Sequence, residues 1–263
     1  MIGLIRVQSP SPMHSPLPDA AMHLRAATFD YWETLIEERE PGAASLERTA
    51  SAFYRQSCQE LRLPPELVFE EALQRRLAVT RERMTGELLE VPLDHFFPLL
   101  FEDLGLSATA NKKASREAVL FITERVHEVT VLLPGAIEFL ALLKEKGIKI
   151  GLVSNTQIPP AQRQESLRRL GLLPYFDVVV LSSGFMHRKP KAVIFQEALR
   201  RLKVQPEECL HFGDSLSADV EGARGAGILS ILVKASRNAA STSEAELVIG
   251  DWRAALALFA RLL

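Results

Sequence analysis

Asp30 closes a short apolar run, Ala26-Ala27-Thr28-Phe29, and is followed by Tyr31, Trp32, Glu33 and Thr34. A carboxylate delivered to a strand end can serve as a nucleophile, a metal ligand or both. Three later pieces of chain carry the partners such a group needs: Ser154 with Asn155, Lys189 with Pro190, and Gly213-Asp214-Ser215-Leu216-Ser217-Ala218-Asp219. Transfer of a phosphoryl group needs its oxygens held by cations and hydrogen-bond donors while a nucleophile attacks phosphorus. Hydroxyl, amide, ammonium and carboxylate are the side-chain types for that task.

The elements around these residues predict an α/β fold. From Val131 onward strand and helix alternate. Pro134 opens a segment with Ala136, Phe139, Leu140 and Leu143 on one helical face, and Gly147 is placed to end it. Ile148–Val153 reads as a buried strand, Phe176–Leu181 as another, and Pro190 begins a helix with Phe195, Ala198, Leu199 and Leu202 at helical spacing. Cys209–Phe212, Ile228–Val233 and Leu247–Ile249 follow as strands, with a helix over Ser217–Ala226 and one at the C-terminus. Such alternation implies a Rossmann-like three-layer core, a parallel sheet covered by helices on both faces. In these sheets reactive residues gather beyond the carboxyl ends of the strands, where Asp30, Ser154 and Asp214 are expected.

Residues 42–129 break the alternation. Leu46, Ala50, Phe53, Ser57 and Leu61 mark one amphipathic helix, and Phe69, Leu73, Leu77, Thr80 and Met84 a second, separated by Pro64-Pro65. Two further helical stretches, Leu93–Leu104 and Ser115–Val129, complete a block without a convincing strand. The expected organisation is a disordered N-terminal tail over 1–21, a core over 22–41 and 130–263, and a helical cap over 42–129.

Taken together, Asp30 to Thr34, Ser154-Asn155, Lys189-Pro190 and the acidic segment Gly213 to Asp219 resemble the haloacid dehalogenase (HAD) superfamily of hydrolases, in the subfamily whose helical cap is inserted after the first motif. The resemblance runs from Ala26 nearly to the C-terminus. It implies that Asp30 is the nucleophile of an aspartyl-phosphate mechanism, with Ser154 and Lys189 as its catalytic partners. Ser154, Asn155, Lys189 and Trp32 are the implied substrate-binding set. Asp30, Asp214, Asp219 and the backbone carbonyl of Trp32 are the implied Mg²⁺ ligands, with Asp219 able to act through a water. Each residue has a plainer role as well: Ser154 as a helix N-cap, Lys189 as a solvated lysine, Asp214 and Asp219 as a capping pair.

Trp32 departs from the phosphatase pattern, in which the residue two after the nucleophile is an Asp that protonates the leaving oxygen and then activates water; Trp32 can do neither. General acid-base help is worth about 10²–10⁴ in rate, so esters with poor leaving groups should suffer most. Glu33 is adjacent, but in an extended segment one residue of offset turns a side chain to the other face. Superfamily members without this Asp include dehalogenases, which lack the acidic pair kept here at Asp214 and Asp219, and phosphonate hydrolases, which use a cap lysine; Lys112 and Lys113 lie in the cap. The expected function is therefore a Mg²⁺-dependent phosphatase of small phosphorylated metabolites, the alternatives being dehalogenation, phosphonate cleavage, or a weakened phosphate- and metal-binding protein.

Composition excludes other classes. With 31 basic and 33 acidic residues the net charge is −2, which offers no electrostatic footprint for nucleic acid or an anionic membrane. No apolar run reaches the ~18 residues of a membrane span, and the proline- and serine-rich first 21 residues lack the apolar region of a secretory signal. The two cysteines, Cys58 and Cys209, show no metal spacing and are expected to be reduced thiols of a cytoplasmic protein, a monomer or homodimer. The six histidines are scattered without a metal-ligand spacing.

Overall fold

The structure, a computed structural model, describes residues 23–234 and 247–263. The expected N-terminal tail, 1–21, lies outside the described residues. The described residues divide into two compact units, one of 23–37, 132–155, 167–234 and 247–263, the other of 38–131 and 156–166.

The strands, in chain order, are β1 (Ala26–Phe29), β2 (Ile36–Glu38), β3 (Thr130–Leu132), β4 (Lys149–Ser154), β5 (Val178–Leu181), β6 (Cys209–Gly213), β7 (Leu229–Val233) and β8 (Val248–Ile249). Six of them form one parallel sheet in the order β5-β4-β1-β6-β7-β8. The chain moves outward from β1 through β4 to β5, then returns to β6 on the other side of β1. The carboxyl ends of β4, β1 and β6 thus lie side by side at the reversal, where crevices open in doubly wound sheets.

Alternation along each strand feeds two cores. Ala27 and Phe29 of β1 and Leu210 and Phe212 of β6 join Phe139, Trp252 and Phe259 on one face, and Phe29 stacks on Phe212 with centroids 4.9 Å apart. The helices supplying that face are Ala136–Glu145 and Trp252–Leu262, the latter capped by Asp251, whose side chain accepts from the Ala254 N–H at 2.7 Å. On the other face Ala26 and Cys209 pack with Ile194, Phe195, Ala198 and Leu202 of the helix Ala192–Leu202. Burying apolar surface on both faces, at roughly 25 cal/mol per Å², is what makes these parallel strands apolar runs instead of alternating ones.

The second unit is helical: Leu46–Ser57, Glu66–Glu82 continued by a π-helical turn to Glu87, Leu93–Asp103 and Ala108–Val129. The periodicity of the sequence locates all four. Phe53, Tyr54, Phe69, Phe96, Phe97 and Phe101 are buried at its centre, and Tyr54 stacks on Phe69 at 4.6 Å. This unit also takes Thr156–Ser166, including the start of the helix Pro160–Arg169, a helix the sequence pattern does not single out. The sequence pattern also misses β2 and β3, a pair of three-residue strands too short to show a period. Among the described residues no helix is long and apolar enough to cross a membrane.

Candidate active site

Parallel pairing fixes the site from the sheet upward. Thr28 lies in register with His211, and the Asp30 N–H donates to the Phe212 carbonyl at 2.8 Å, extending the β1–β6 ladder by one residue. Because side chains alternate, Thr28 and His211 face the Phe195 side of the sheet, and the next positions on that face are Asp30 and Gly213. Asp219 returns over Gly213 from the following helical turn. A Cβ on Gly213 would lie 2.2 Å from Asp219 Cγ, so only glycine leaves room for that carboxylate.

Lys189 is the hub. Its Nζ lies 2.7 Å from Asp30 Oδ1 and 2.5 Å from Asp219 Oδ1, and it is only 3% exposed. The contact with Asp30 is a buried ion pair, and among the described residues Asp30 Oδ1 has no partner besides Lys189. Asp219 is satisfied on both oxygens. Oδ1 accepts from Lys189 and contacts His211 Nε2 at 3.1 Å, while Oδ2 accepts from the Ser215 N–H at 3.0 Å. The Asn155 side chain is spent on Lys189: its Oδ1 accepts from the Lys189 N–H at 2.8 Å and its Nδ2 donates to the Lys189 carbonyl at 3.1 Å. The end of β4 thereby fixes the loop that presents the ammonium. Ser154, buried, ends β4 beside Leu181 of β5.

Asp214 follows β6 and is half-buried. Its Oδ1 accepts from the Thr34 hydroxyl at 3.3 Å, and the Thr34 carbonyl accepts from Trp252 Nε1–H at 2.7 Å, which anchors the segment after Asp30 to the C-terminal helix. That segment is a turn. The Tyr31 carbonyl accepts from the Leu35 and Ile36 N–H groups at 2.9 and 3.2 Å, and Glu33 has φ +58°. The two-fold alternation expected for Glu33 in an extended strand therefore does not apply. Trp32 is half-buried and packs against the core of the sheet.

The electrostatics follow from burial and charge. Asp30, Asp214 and Asp219 each offer an oxygen within 4.8 Å of the others. Burial, reinforced by Asp219, raises the Asp30 carboxyl above its usual range despite Lys189. Burial, with Asp30 and Asp219 nearby, pushes Asp214 up to about 7. For Asp219 burial also acts upward, but Lys189 and His211 outweigh it and hold the group below the usual carboxylate range. Burial opposes charge on Lys189, and its two carboxylate neighbours more than restore it. Three carboxylates thus face one ammonium, and the set fits a divalent cation on two observations: three carboxylate oxygens converge within 4.8 Å, and Asp214 is hard to ionise beside the other two.

Of the residues singled out in the sequence, Asp30, Lys189, Asp214 and Asp219 come together, and Ser154 and Asn155 stand at the adjacent strand end. Thr34, the end of the first motif, is brought onto Asp214, and His211, Thr28 and Trp252 are added by the structure. His211 had one readable signal, a polar residue at an inward position of an apolar strand two places before Gly213.

Residues 24–227 match the family of haloacid dehalogenase-like hydrolases. The chain belongs to this family. It is 32% identical over 162 residues, 59% of this chain and 68% of the relative, to a protein of Methanopyrus kandleri named glyceraldehyde 3-phosphate phosphatase. It is 35% identical over 56% of its length to a Thermotoga maritima protein named phosphorylated carbohydrates phosphatase, of which it spans 66%. Of several other curated relatives it spans about half. Among solved structures, the HAD phosphatase of Thermococcus onnurineus is 26% identical with a TM-score of 0.61, covering 89% of this chain and 97% of that one. A 2-haloacid dehalogenase of Pseudomonas syringae pv. Tomato DC3000 gives a TM-score of 0.69 at 23% identity, covering 91% and 100%, and shares the fold.

Proposed function

We propose that this HAD-like hydrolase is a Mg²⁺-dependent phosphatase of small phosphorylated metabolites, acting through an aspartyl phosphate on Asp30. The observation that carries the proposal is the charge balance of the buried cluster: Asp30, Asp214 and Asp219 against Lys189 alone. Three buried carboxylates against one ammonium are matched by a divalent cation, and that cation together with Lys189 would then offer positive charge to phosphoryl oxygens. The relatives named phosphatases support the substrate class.

In this reading a carboxylate oxygen of Asp30 attacks phosphorus as the bond to the leaving oxygen breaks, and water then hydrolyses the aspartyl phosphate, releasing phosphate and restoring Asp30. Lys189 offsets charge on the transferring group, aided by the Ser154 hydroxyl and the backbone N–H of Asn155, because the Asn155 side chain is engaged on Lys189. Mg²⁺ would be held by Asp30, Asp214 and the Trp32 carbonyl, and it would supply Lewis-acid stabilisation of the phosphoryl oxygens. Asp219, satisfied on both oxygens by protein donors, acts there by holding Lys189 and through water. The helical unit serves as the cap. Trp32 cannot protonate a leaving oxygen, so turnover favours aryl and acyl phosphates over alkyl esters.

Hydrolysis of an aryl phosphate, an acyl phosphate, sugar phosphates and a 2-haloacid, each with Mg²⁺ and with chelator, tests this. The expected result is Mg²⁺-dependent phosphate release that is fastest with the best leaving groups. Halide release that survives chelation, or no phosphate release from any ester, would overturn it.

A further inference from the structure

The buried pair Thr28–His211 has no part in the chemistry above, yet it ends on Asp219. His211 is completely buried. Its Nε2 lies 3.1 Å from Asp219 Oδ1 and its Nδ1 lies 3.0 Å from Thr28 Oγ1, while the ring meets Phe195 edge-on with centroids 5.0 Å apart. The Thr28 hydroxyl has a second, longer acceptor in the Leu210 carbonyl, at 3.4 Å against 3.0 Å to Nδ1, and Cys209 Sγ lies 3.9 Å away. The proton inventory of this chain has one good solution for a neutral imidazole. The Thr28 hydroxyl donates to Nδ1, which places the ring proton on Nε2, where it donates to Asp219. The opposite tautomer would set a bare nitrogen lone pair against a carboxylate.

We infer that Thr28 and His211 are positioning residues, fixing Asp219 so that its Oδ1 keeps the Lys189 ammonium directed at Asp30. The inference rests on the phosphatase reading for its kinetic consequence and on geometry alone for the tautomer. Asp219 has no freedom to be held otherwise. Its Oδ2 is taken by the Ser215 N–H, its Cβ lies against Gly213, and Oδ1 is shared between Lys189 and His211. Removing the His211 donor leaves Lys189 as the single hydrogen-bond donor to Oδ1, drawing the ammonium toward Asp219 and away from Asp30. An ordinary buried histidine would instead contribute only packing, and any side chain filling its volume would serve.

The experiment compares wild-type protein with Thr28→Val, His211→Gln and His211→Leu. Measured on each are the melting temperature, kcat and KM for an aryl phosphate with Mg²⁺, and, in wild-type protein and Thr28→Val, the ¹⁵N shifts of the imidazole. Loss of one hydrogen bond to a charged group predicts a fall in kcat of roughly 10-fold to 100-fold for His211→Leu, with KM nearly unchanged. His211→Gln, whose amide can still donate to Asp219, should recover most of that loss although it packs less well. Thr28→Val, nearly isosteric, should lower kcat by loosening the ring while the Nε2–H tautomer, still held by Asp219, persists, and it carries the test if His211→Leu does not fold. A folded His211→Leu with wild-type kcat, equal rates for the Gln and Leu variants, or an Nδ1–H tautomer in the wild type would overturn the inference. If the wild type hydrolyses no phosphate ester, the phosphatase reading fails by itself, and the tautomer still decides the geometry: Nε2–H supports it and Nδ1–H overturns it.

Discussion

Gly213 and Asp219 occupy one space: a Cβ on the first would lie 2.2 Å from Cγ and 2.4 Å from Cβ of the second. The glycine before Asp214 is therefore required by a carboxylate six residues later, and not by its own backbone, which lies within β6.

The consequence is that Gly213→Ala displaces Asp219 and, with it, Lys189. Overpacking of this kind costs about 1–3 kcal/mol, and the expected kinetic loss is larger, at least about 10-fold in kcat by loss of an aligned charged contact. Thermal unfolding and aryl phosphate turnover measure the two effects. Unchanged turnover in a destabilised Gly213→Ala protein would show that Asp219 does not need this position.

Trp32 marks the step for which the position two after Asp30 supplies no acid. Trp32→Asp is expected to raise turnover of alkyl phosphates by roughly 10²-fold, the scale of general acid-base help, and to change aryl phosphate turnover far less. Equal effects on both ester types would mean that proton transfer to the leaving group is not what Trp32 limits.

The arrangement of strand ends was legible in the sequence because a short apolar run that stops at a polar residue, as at Asp30, Ser154 and Asp214, is what a strand buried on both faces requires. The helices at Ala136–Glu145 and Ala192–Leu202 carry a clear 3.6 period. What was not legible depends on tertiary neighbours. His211 looks like any scattered histidine until β1 and β6 are set in register and Thr28 lies beside it. The indole of Trp252 reaches the Thr34 carbonyl across 218 residues, a relation no local pattern encodes. The Glu33 side chain could not be placed by strand alternation because the segment turns, with φ +58° at that residue. Thr156–Ser166 joins the helical unit through tertiary contacts, among them the Leu93 N–H to the Gln157 carbonyl at 2.8 Å and the Gln157 side chain to the Val91 carbonyl at 3.0 Å, so the sequence, which shows the insertion as 42–129, gives no sign of it.

The thiols should differ sharply in reactivity. Burial pushes Cys209 up to about 12, and the residue is 2% exposed, whereas Cys58 is half-buried. A thiol reagent at neutral pH is expected to modify Cys58 in the native protein and to reach Cys209 only after unfolding. Equal native rates at the two positions would contradict the packing of β6.

Glu197 supplies a pH signature away from the site. Hydrogen bonds from Arg200 and Arg201 hold its carboxyl at about 2, below the ordinary 4.5. A depressed folded-state value means that the stabilisation is fully present above about 4.5 and is lost as pH falls through about 2. Both arginines are largely exposed, so solvent screens the gain. Glu197→Gln should lower the melting temperature by about 1–2 °C at pH 7, a gap that narrows below pH 4.5. A gap that widens in acid would reverse the sign of the argument.

The central claim is a phosphoryl group carried by Asp30. During turnover of an aryl phosphate with Mg²⁺, quenching with borohydride should reduce an acyl phosphate to the alcohol, and peptide mass spectrometry should place that change at Asp30, with none in chelator or in Asp30→Asn. Turnover with no trapped carboxyl, or trapping at another residue, would contradict the claim.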